Sequence, residues 1–212
     1  MLLLNLKNIS VEGSKMNQNK IWEYTKAIGL AIILSLVIRT AIVQAYRIPS
    51  GSMIPTLLVG DHLLANKFIY GIRIPFFHEK FLTVGKPQKG DIIIFPSPEE
   101  PDKDLIKRVV AVEGDLIEER EKQIFVNGKA LEEPYVRHTD HFLSDRRDNF
   151  GARLVPKGKV FVMGDNRDES YDSRYWGYVD TKDVKGKAFI VYWSWDRERK
   201  LPRFGRLAHW IR

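Results

Sequence analysis

The sequence predicts a mainly antiparallel β domain tethered by one N-terminal helix. From Tyr46 onward the chain alternates short runs of β-branched and aromatic residues with turn residues, and no helical period persists. Asn127-Gly128, inside "QIFVNGKAL", is a strong hairpin signal. Ahead of these runs, Lys26 and Arg39 bracket twelve uncharged residues, Ala27 to Ile38.

Taken in order, the basic start comes first. Lys7, Lys15, Lys20 and Lys26 precede the apolar stretch, so the positive-inside rule puts residues 1–26 in the cytoplasm. A span needs about 20 residues. With Arg39 snorkelling toward the headgroups, "TAIVQA" extends the stretch to an anchor over 27–45. A buried core helix fits less well, because the run lacks a polar face. A cleavable signal segment also competes, since Val43-Gln44-Ala45 resembles a cleavage site. Arg39 so near that site, with no spacer before the next turn, favours a retained anchor. Residues 46–212 then form the extracytoplasmic domain, attached to a lipid bilayer.

Within that domain "DIIIF" (Asp91–Phe95), "LIKRVVAV" (Leu105–Val112), "KVFVM" (Lys159–Met163) and "AFIVYWSW" (Ala188–Trp195) read as strands. Gly-Asp pairs at 60–61, 90–91, 114–115 and 164–165 punctuate them. Residues 136–153 are polar and weakly patterned, as in a surface loop or insertion. These elements assemble as an antiparallel β-sheet domain behind one helix.

The chain has 212 residues, 44% of them apolar, enough for one domain with a sizeable core. Cysteine is absent, which excludes disulfides, a thiolate nucleophile and a Cys-based zinc site. The formal charge is +7, and the final sixteen residues carry Arg197, Arg199, Lys200, Arg203, Arg206 and Arg212 against Glu198. A solvated basic surface accounts for this tail; lipid or nucleic acid is the alternative.

"YRIPSGSMIPTLLVGDHLLANK" (Tyr46–Lys67) places Ser50 and Ser52 around Gly51, between Pro49 and Pro55. Such a turn can present a serine. Its base is not an evident histidine. His62, His78, His138, His141 and His209 lie in no strand-turn context, and no G-x-S-x-G elbow occurs. His138-Thr-Asp-His141 has weak metal-like spacing without a third ligand, so no metal is expected.

Lys107 is a different base. Alternation places it with Leu105, Val109 and Ala111, and Arg108 with Ile106, Val110 and Val112. One of the two cations must be buried or marginal, and lysine suits burial because desolvation lowers its pKa. Lowering it from about 10.4 to near 7 costs roughly 4 to 5 kcal/mol and yields a neutral amine. "GDNRDESYDSRYWG" (Gly164–Gly177) is dense in charge and hydroxyls. Asp165, Arg167, Asp172 and Arg174 suggest a buried ion-pair network, and Ser170 is a short group able to orient an amine.

"SGSMIPTL" with "GDHLLANK", then "KRVVAVEGD", then "GDNRDESYDSRYWG" resemble the serine, lysine and C-terminal boxes of bacterial type I signal peptidases. The resemblance spans Lys26 to the end, apart from 136–153. It implies a membrane-anchored serine endopeptidase that removes signal peptides from exported preproteins. Ser52 would be the nucleophile and Lys107 the general base, without metal or cofactor. Ser50, with the Ser52 N–H, would hold the oxyanion, and Ser170 would hydrogen-bond the lysine amine. Asp172 and Arg174 would brace the loop, with Asp165 in support. Tyr46, Ile48, Leu57 and Ile106 would line small pockets for the −1 and −3 side chains. The partners implied are preproteins bearing signal peptides and the lipid bilayer, with no nucleic acid; no oligomeric state follows. The chain's own Val43-Gln44-Ala45 satisfies the small-residue rule, which makes the bond after Ala45 a candidate for slow self-cleavage if it leaves the helix; the sequence does not decide whether it is cut.

Overall fold

The computed structural model describes residues 18–41, 43–73, 80–82 and 85–211. The basic segment before Gln18, His78 and the side chain of Arg39 lie outside what is described. Two compact units are present, residues 1–38 and 39–212.

The first contains most of helix α1 (Gln18–Ala41). Its apolar side chains are not confined to one face: Ile28, Leu30, Ile32, Ile33 and Leu34 are all more than half exposed. Among the described residues, no helix is long and apolar enough to cross a membrane. The expected 27–45 segment is also not one element. The helix ends at Ala41, and Val43-Gln44-Ala45 opens a strand. The β-branched valine and the pairing partners available in the sheet outweigh continuation of the helix there.

The second unit is built of antiparallel sheet, as the β-type runs predict. In chain order its strands are β1 (Val43–Arg47), β2 (Asp61–Asn66), β3 (Ile72–Arg73), β4 (Lys80–Leu82) and β5 (Ile92–Pro96). They continue with β6 (Asp104–Val112), β7 (Leu116–Arg120), β8 (Gln123–Val126), β9 (Lys129–Ala130) and β10 (Phe150–Leu154). The last are β11 (Lys159–Met163), β12 (Val179–Asp180), β13 (Gly186–Asp196), β14 (Leu201–Pro202) and β15 (His209–Trp210). Two one-turn helices, α2 (Asp145–Asp148) and α3 (Ser173–Trp176), interrupt them.

Nine strands form one sheet in the order β1-β2-β13-β5-β6-β11-β12, with β14 and β15 added to β13. A second sheet runs β10-β7-β8-β9, and β3 pairs with β4. The Asn127-Gly128 hairpin forms where expected, joining Val126 to Lys129. Residues 136–153 are more ordered than a surface loop. Arg137 bridges to Asn166, Asp148 is fully buried, and Phe150–Leu154 forms β10 against β7. Pairing partners distant in sequence supply the order that local patterning there does not reveal.

Three hydrophobic clusters fill the domain. The first joins Ile48, Met53 and Leu57 to Leu63, Ile92, Ile94 and Val191, and so lies under the serine turn. A bulge in β6 at Val110, opposite Phe161 and Val162 of β11, breaks the predicted alternation. Val109 packs in the second cluster with Leu105 and Val112, whereas Val110 and Ala111 enter the third. An extra residue in one strand swaps the faces of everything beyond it.

Candidate active site

Met53 and Leu57 explain how the serine turn is held. The Leu57 N–H donates to the Met53 carbonyl at 2.9 Å, one helical turn apart, and both side chains are buried in the first cluster. The Ile54 N–H closes back on the Gly51 carbonyl at 3.1 Å. Gly51 does not use a left-handed conformation; a Cβ there would meet the Ile54 side chain at 3.1 Å. Close approach, rather than backbone sign, is what favours glycine at this position.

Lys107 comes from the middle of β6, opposite Ile93 of β5. Its Nζ lies 2.8 Å from the Ser52 Oγ. The side chain is 3% exposed, and burial lowers its pKa to about 8. Asp172 and Asp165 oppose that shift and Arg174 assists it. The amine is therefore poised to exchange a proton near neutrality.

Arg108, the next residue, is buried as well, at 2% exposure, so both cations are inside. Its guanidinium grips Asp165 with two bonds of 2.8 Å, donates to the Gly90 carbonyl at 3.0 Å and stacks on Tyr135 at 3.8 Å. A fixed charge buried this deeply requires such partners. Thr56, on the far side of the serine turn, donates to Asp165 at 2.5 Å. The ion pair thus also tethers the serine turn to the Gly164–Gly177 loop.

That loop is buried and ionic, and two of its four charged residues named above take partners from outside it. Asp165 pairs with Arg108, and Arg167 pairs with Glu133 through bonds of 2.9 and 2.5 Å. Arg174 holds Asp172 at 2.9 and 3.0 Å. Asp172 accepts from the Gly164 N–H at 3.1 Å, while Arg167 donates to the Gly164 carbonyl at 3.2 Å. Gly164 itself has no room for a side chain: a Cβ would overlap the Ser52 carbonyl oxygen and Ser170.

Ser170 is buried beside this glycine, and its hydroxyl makes no hydrogen bond. The expected bond to the lysine amine is not formed, because the amine is turned to Ser52. Tyr46, Ile48 and Ile106 line a cleft of about 150 Å³ together with Ser50, Ser52, Met53, Leu105 and Lys107. Leu57 does not line it; its side chain is wholly inside the first cluster. Among the described histidines, His62 packs edge-on to Tyr192, and His138 faces Asp168. No cluster able to hold a metal ion occurs among the described residues.

Sequence reading missed Met53, Leu105, Thr56, Glu133 and Asn166. The first two had a signal, being apolar neighbours of Ser52 and Ile106. Asn166 sits inside the charged loop motif but had no assigned partner. Nothing local marks Glu133, whose partner Arg167 lies 34 positions away.

A serine hydroxyl facing a buried amine at the wall of an apolar cleft, on an antiparallel β scaffold, defines a candidate serine hydrolase. The profile of the family described as "Signal peptidase, peptidase S26" matches residues 21–193. The chain is 37% identical to signal peptidase I of Pseudomonas aeruginosa, over 88% of this chain and 78% of that one. It is 35% identical to signal peptidase I of Aquifex aeolicus, over 78% and 81% respectively. A crystal structure of a signal peptidase I from Enterococcus faecalis aligns with 49% of this chain and 97% of its own, at 34% identity and a TM-score of 0.41. The chain belongs to the signal peptidase family, peptidase S26, and is a serine peptidase.

Proposed function

We propose that this protein removes N-terminal signal peptides from exported preproteins by acyl-enzyme chemistry, with Ser52 as nucleophile and Lys107 as general base. The observation that carries the reading is the 2.8 Å approach of the Lys107 Nζ to the Ser52 Oγ beside the apolar cleft.

The cleft lies between the end of β1 and the first half of β6. On that half β6 is paired with β5, whereas β11 reaches only Arg108 onward. An extended peptide can add along Asp104–Lys107 as a further strand. Its −1 and −3 side chains then face Tyr46, Ile48 and Ile106, and −2 points away. The small volume suits Ala, Gly or Ser at −1.

The Ser52 Oγ attacks the −1 carbonyl carbon while the neutral Lys107 amine takes the hydroxyl proton. The oxyanion is held by the Ser52 N–H and the Ser50 hydroxyl. Collapse breaks the peptide bond, and Lys107 returns its proton to the departing amine of the mature chain. Water then attacks the ester, again deprotonated by Lys107, and frees the signal peptide's carboxylate and Ser52. Asp165, Asp172 and Arg174 keep the supporting loop in place.

Helix α1, through its uncharged run Ala27–Ile38, anchors the enzyme at the membrane where its substrates emerge, with the N-terminus cytoplasmic. Support comes from the uncharged run Ala27–Ile38, the preceding lysines and the exposed apolar side chains around α1. The test is incubation of the full-length protein with a labelled preprotein in lipid vesicles, reading the cut site by mass spectrometry. Wild type should cut after the signal peptide, and Ser52→Ala and Lys107→Ala should each be inactive with native circular dichroism. Substantial cleavage by folded Lys107→Ala would overturn the dyad.

A further inference from the structure

We infer that Asn166 is a positioning residue for the oxyanion site, acting by fixing the direction of the Ser52 N–H. This deepens the Ser-Lys reading and rests on it.

Asn166 is 1% exposed and reaches the serine turn with two donors. Its backbone N–H donates to the Ser52 carbonyl at 3.1 Å, and its Nδ2 donates to the Gly51 carbonyl at 3.1 Å. Consecutive carbonyls on either side of the nucleophile are thus held by one residue. The Gly51–Ser52 peptide is trans. In a planar trans peptide the C=O and the following N–H point in opposite directions. A donor locked on the Gly51 oxygen therefore aims the Ser52 N–H the other way, as a fixed dipole for charge developing on the substrate oxygen. The bond to the Ser52 carbonyl fixes the next peptide plane, and so the backbone on both sides of the Ser52 side chain.

The clamp is itself braced. Its Nδ2 also donates to the Glu169 carboxylate at 3.2 Å. The Arg137 N–H donates to the Asp165 carbonyl at 2.8 Å, and the Arg137 carbonyl accepts from the Arg167 N–H at 3.0 Å. Arg137 thus grips both chain neighbours of Asn166. This gives the 136–153 segment a part in the site at its first residues. Without the Asn166 amide, the Gly51 oxygen keeps the Ile54 N–H, a bond within the turn that travels with it.

The experiment compares wild type with Asn166→Ala and Asn166→Asp. Each is assayed for kcat and KM, and for inhibition by two peptides carrying the same −3 to −1 side chains. One ends in an aldehyde, to whose carbon the Ser52 Oγ adds to give a tetrahedral oxygen in the oxyanion position. The other ends in a primary amide and binds without adding. In Asn166→Ala, kcat should fall roughly tenfold to a hundredfold, somewhat less than loss of an oxyanion donor itself. KM and amide inhibition should stay within about threefold, aldehyde inhibition should weaken in step with kcat/KM, and the acid limb of the pH profile should not move. Asn166→Asp keeps the backbone bond but loses the amide donor, so it should show the same split even if the alanine variant folds poorly. Equal weakening of aldehyde and amide, or a lowered kcat with unchanged aldehyde inhibition, would overturn the inference. If the aldehyde inhibits Ser52→Ala as well as wild type, the Ser-Lys reading fails instead.

Discussion

Lys107 and Arg108 are adjacent in β6 and both are buried, yet Arg108 meets a carboxylate, Asp165, whereas the Lys107 ammonium nitrogen meets a hydroxyl, Ser52. One cation is kept charged by a two-point ion pair; the other is under pressure to lose its proton. Neighbouring residues of like charge thus sit in opposite settings, one neutralised by a carboxylate and one facing a hydroxyl.

The pH dependence follows from that division. Burial holds the lysine near 8, below its ordinary 10.5, so the neutral base accumulates as pH rises. Below about 8, kcat/KM should climb roughly tenfold per pH unit, and it should level off above. The rate profile on a soluble peptide substrate checks this; a flat profile between pH 6 and 8 (about two units below the limb's midpoint) would contradict Lys107 as the base.

Removing the partner of Arg108 should be costly. Asp165→Asn leaves a buried guanidinium without its counter-charge, and such losses run to about 3–5 kcal/mol. Denaturant unfolding should register this loss, together with weaker cleavage from a loosened Thr56 tether. A change under about 0.5 kcal/mol would mean that the pair is not structural.

Gly164→Ala should inactivate without unfolding. The new methyl meets the Ser52 carbonyl oxygen, and a displacement of about 1 Å at the nucleophile costs on the order of a hundredfold in rate. Gly164→Ala with Ser170→Ala removes the hydroxyl clash but not the carbonyl one, so the double variant should stay slow. Recovery of wild-type kcat in the double variant would place the conflict at Ser170 alone.

Leu57 and Ile106 should separate stability from selectivity. Leu57→Ala empties a core position and should cost about 2–5 kcal/mol while leaving the preference at −1 unchanged. Ile106→Ala enlarges the cleft and should admit larger side chains at −1. A precursor panel varied at −1, −2 and −3 reads both; altered −1 preference in Leu57→Ala would return that residue to the pocket wall.

Glu119 predicts a pH-dependent stability. It is buried in β7 with neither carboxylate oxygen hydrogen-bonded, and burial pushes it up to about 7 from an ordinary 4.5. Arg174 and Arg167 oppose that rise, and Asp172 and Asp148 add to it. Between these two pH values the unfolded chain has released a proton that the folded one retains, so stability falls as pH rises through the window. Glu119→Gln should therefore be more stable than wild type at pH 8 by roughly 2–3 kcal/mol, the gap shrinking toward pH 4.5. Paired thermal melts across this range provide the measurement, and a gap independent of pH would refute it.

The β runs and the Asn127-Gly128 hairpin were legible because alternation and turn chemistry are local. Ser52 and Lys107 were legible through their motifs, although 55 positions separate them. Long-range choices were not. Nothing in the composition of the Gly164–Gly177 loop says that Asp165 will take Arg108, 57 positions away, rather than the nearby Arg167. The bulge in β6 is equally silent, because it depends on the partner strand. Leu57 was misplaced for a related reason: an apolar residue near a nucleophile fits a pocket wall and a core equally well until the turn's direction is known.

The strand Val43–Arg47 has a consequence for the enzyme's own survival. Val43-Gln44-Ala45 carries the small residues that the cleft would select, only a few positions from Ser52. In the fold those residues are in register with β2, Gln44 opposite Ala65 and Ala45 opposite Leu64. Pairing with β2 holds the bond after Ala45 within the sheet of its own domain, so cutting there requires Val43–Arg47 to leave that sheet and enter a catalytic cleft. Folding thus acts as immunity: the pairing of β1 with β2 conceals from each copy, and from its neighbours, a junction built like those we propose they cut.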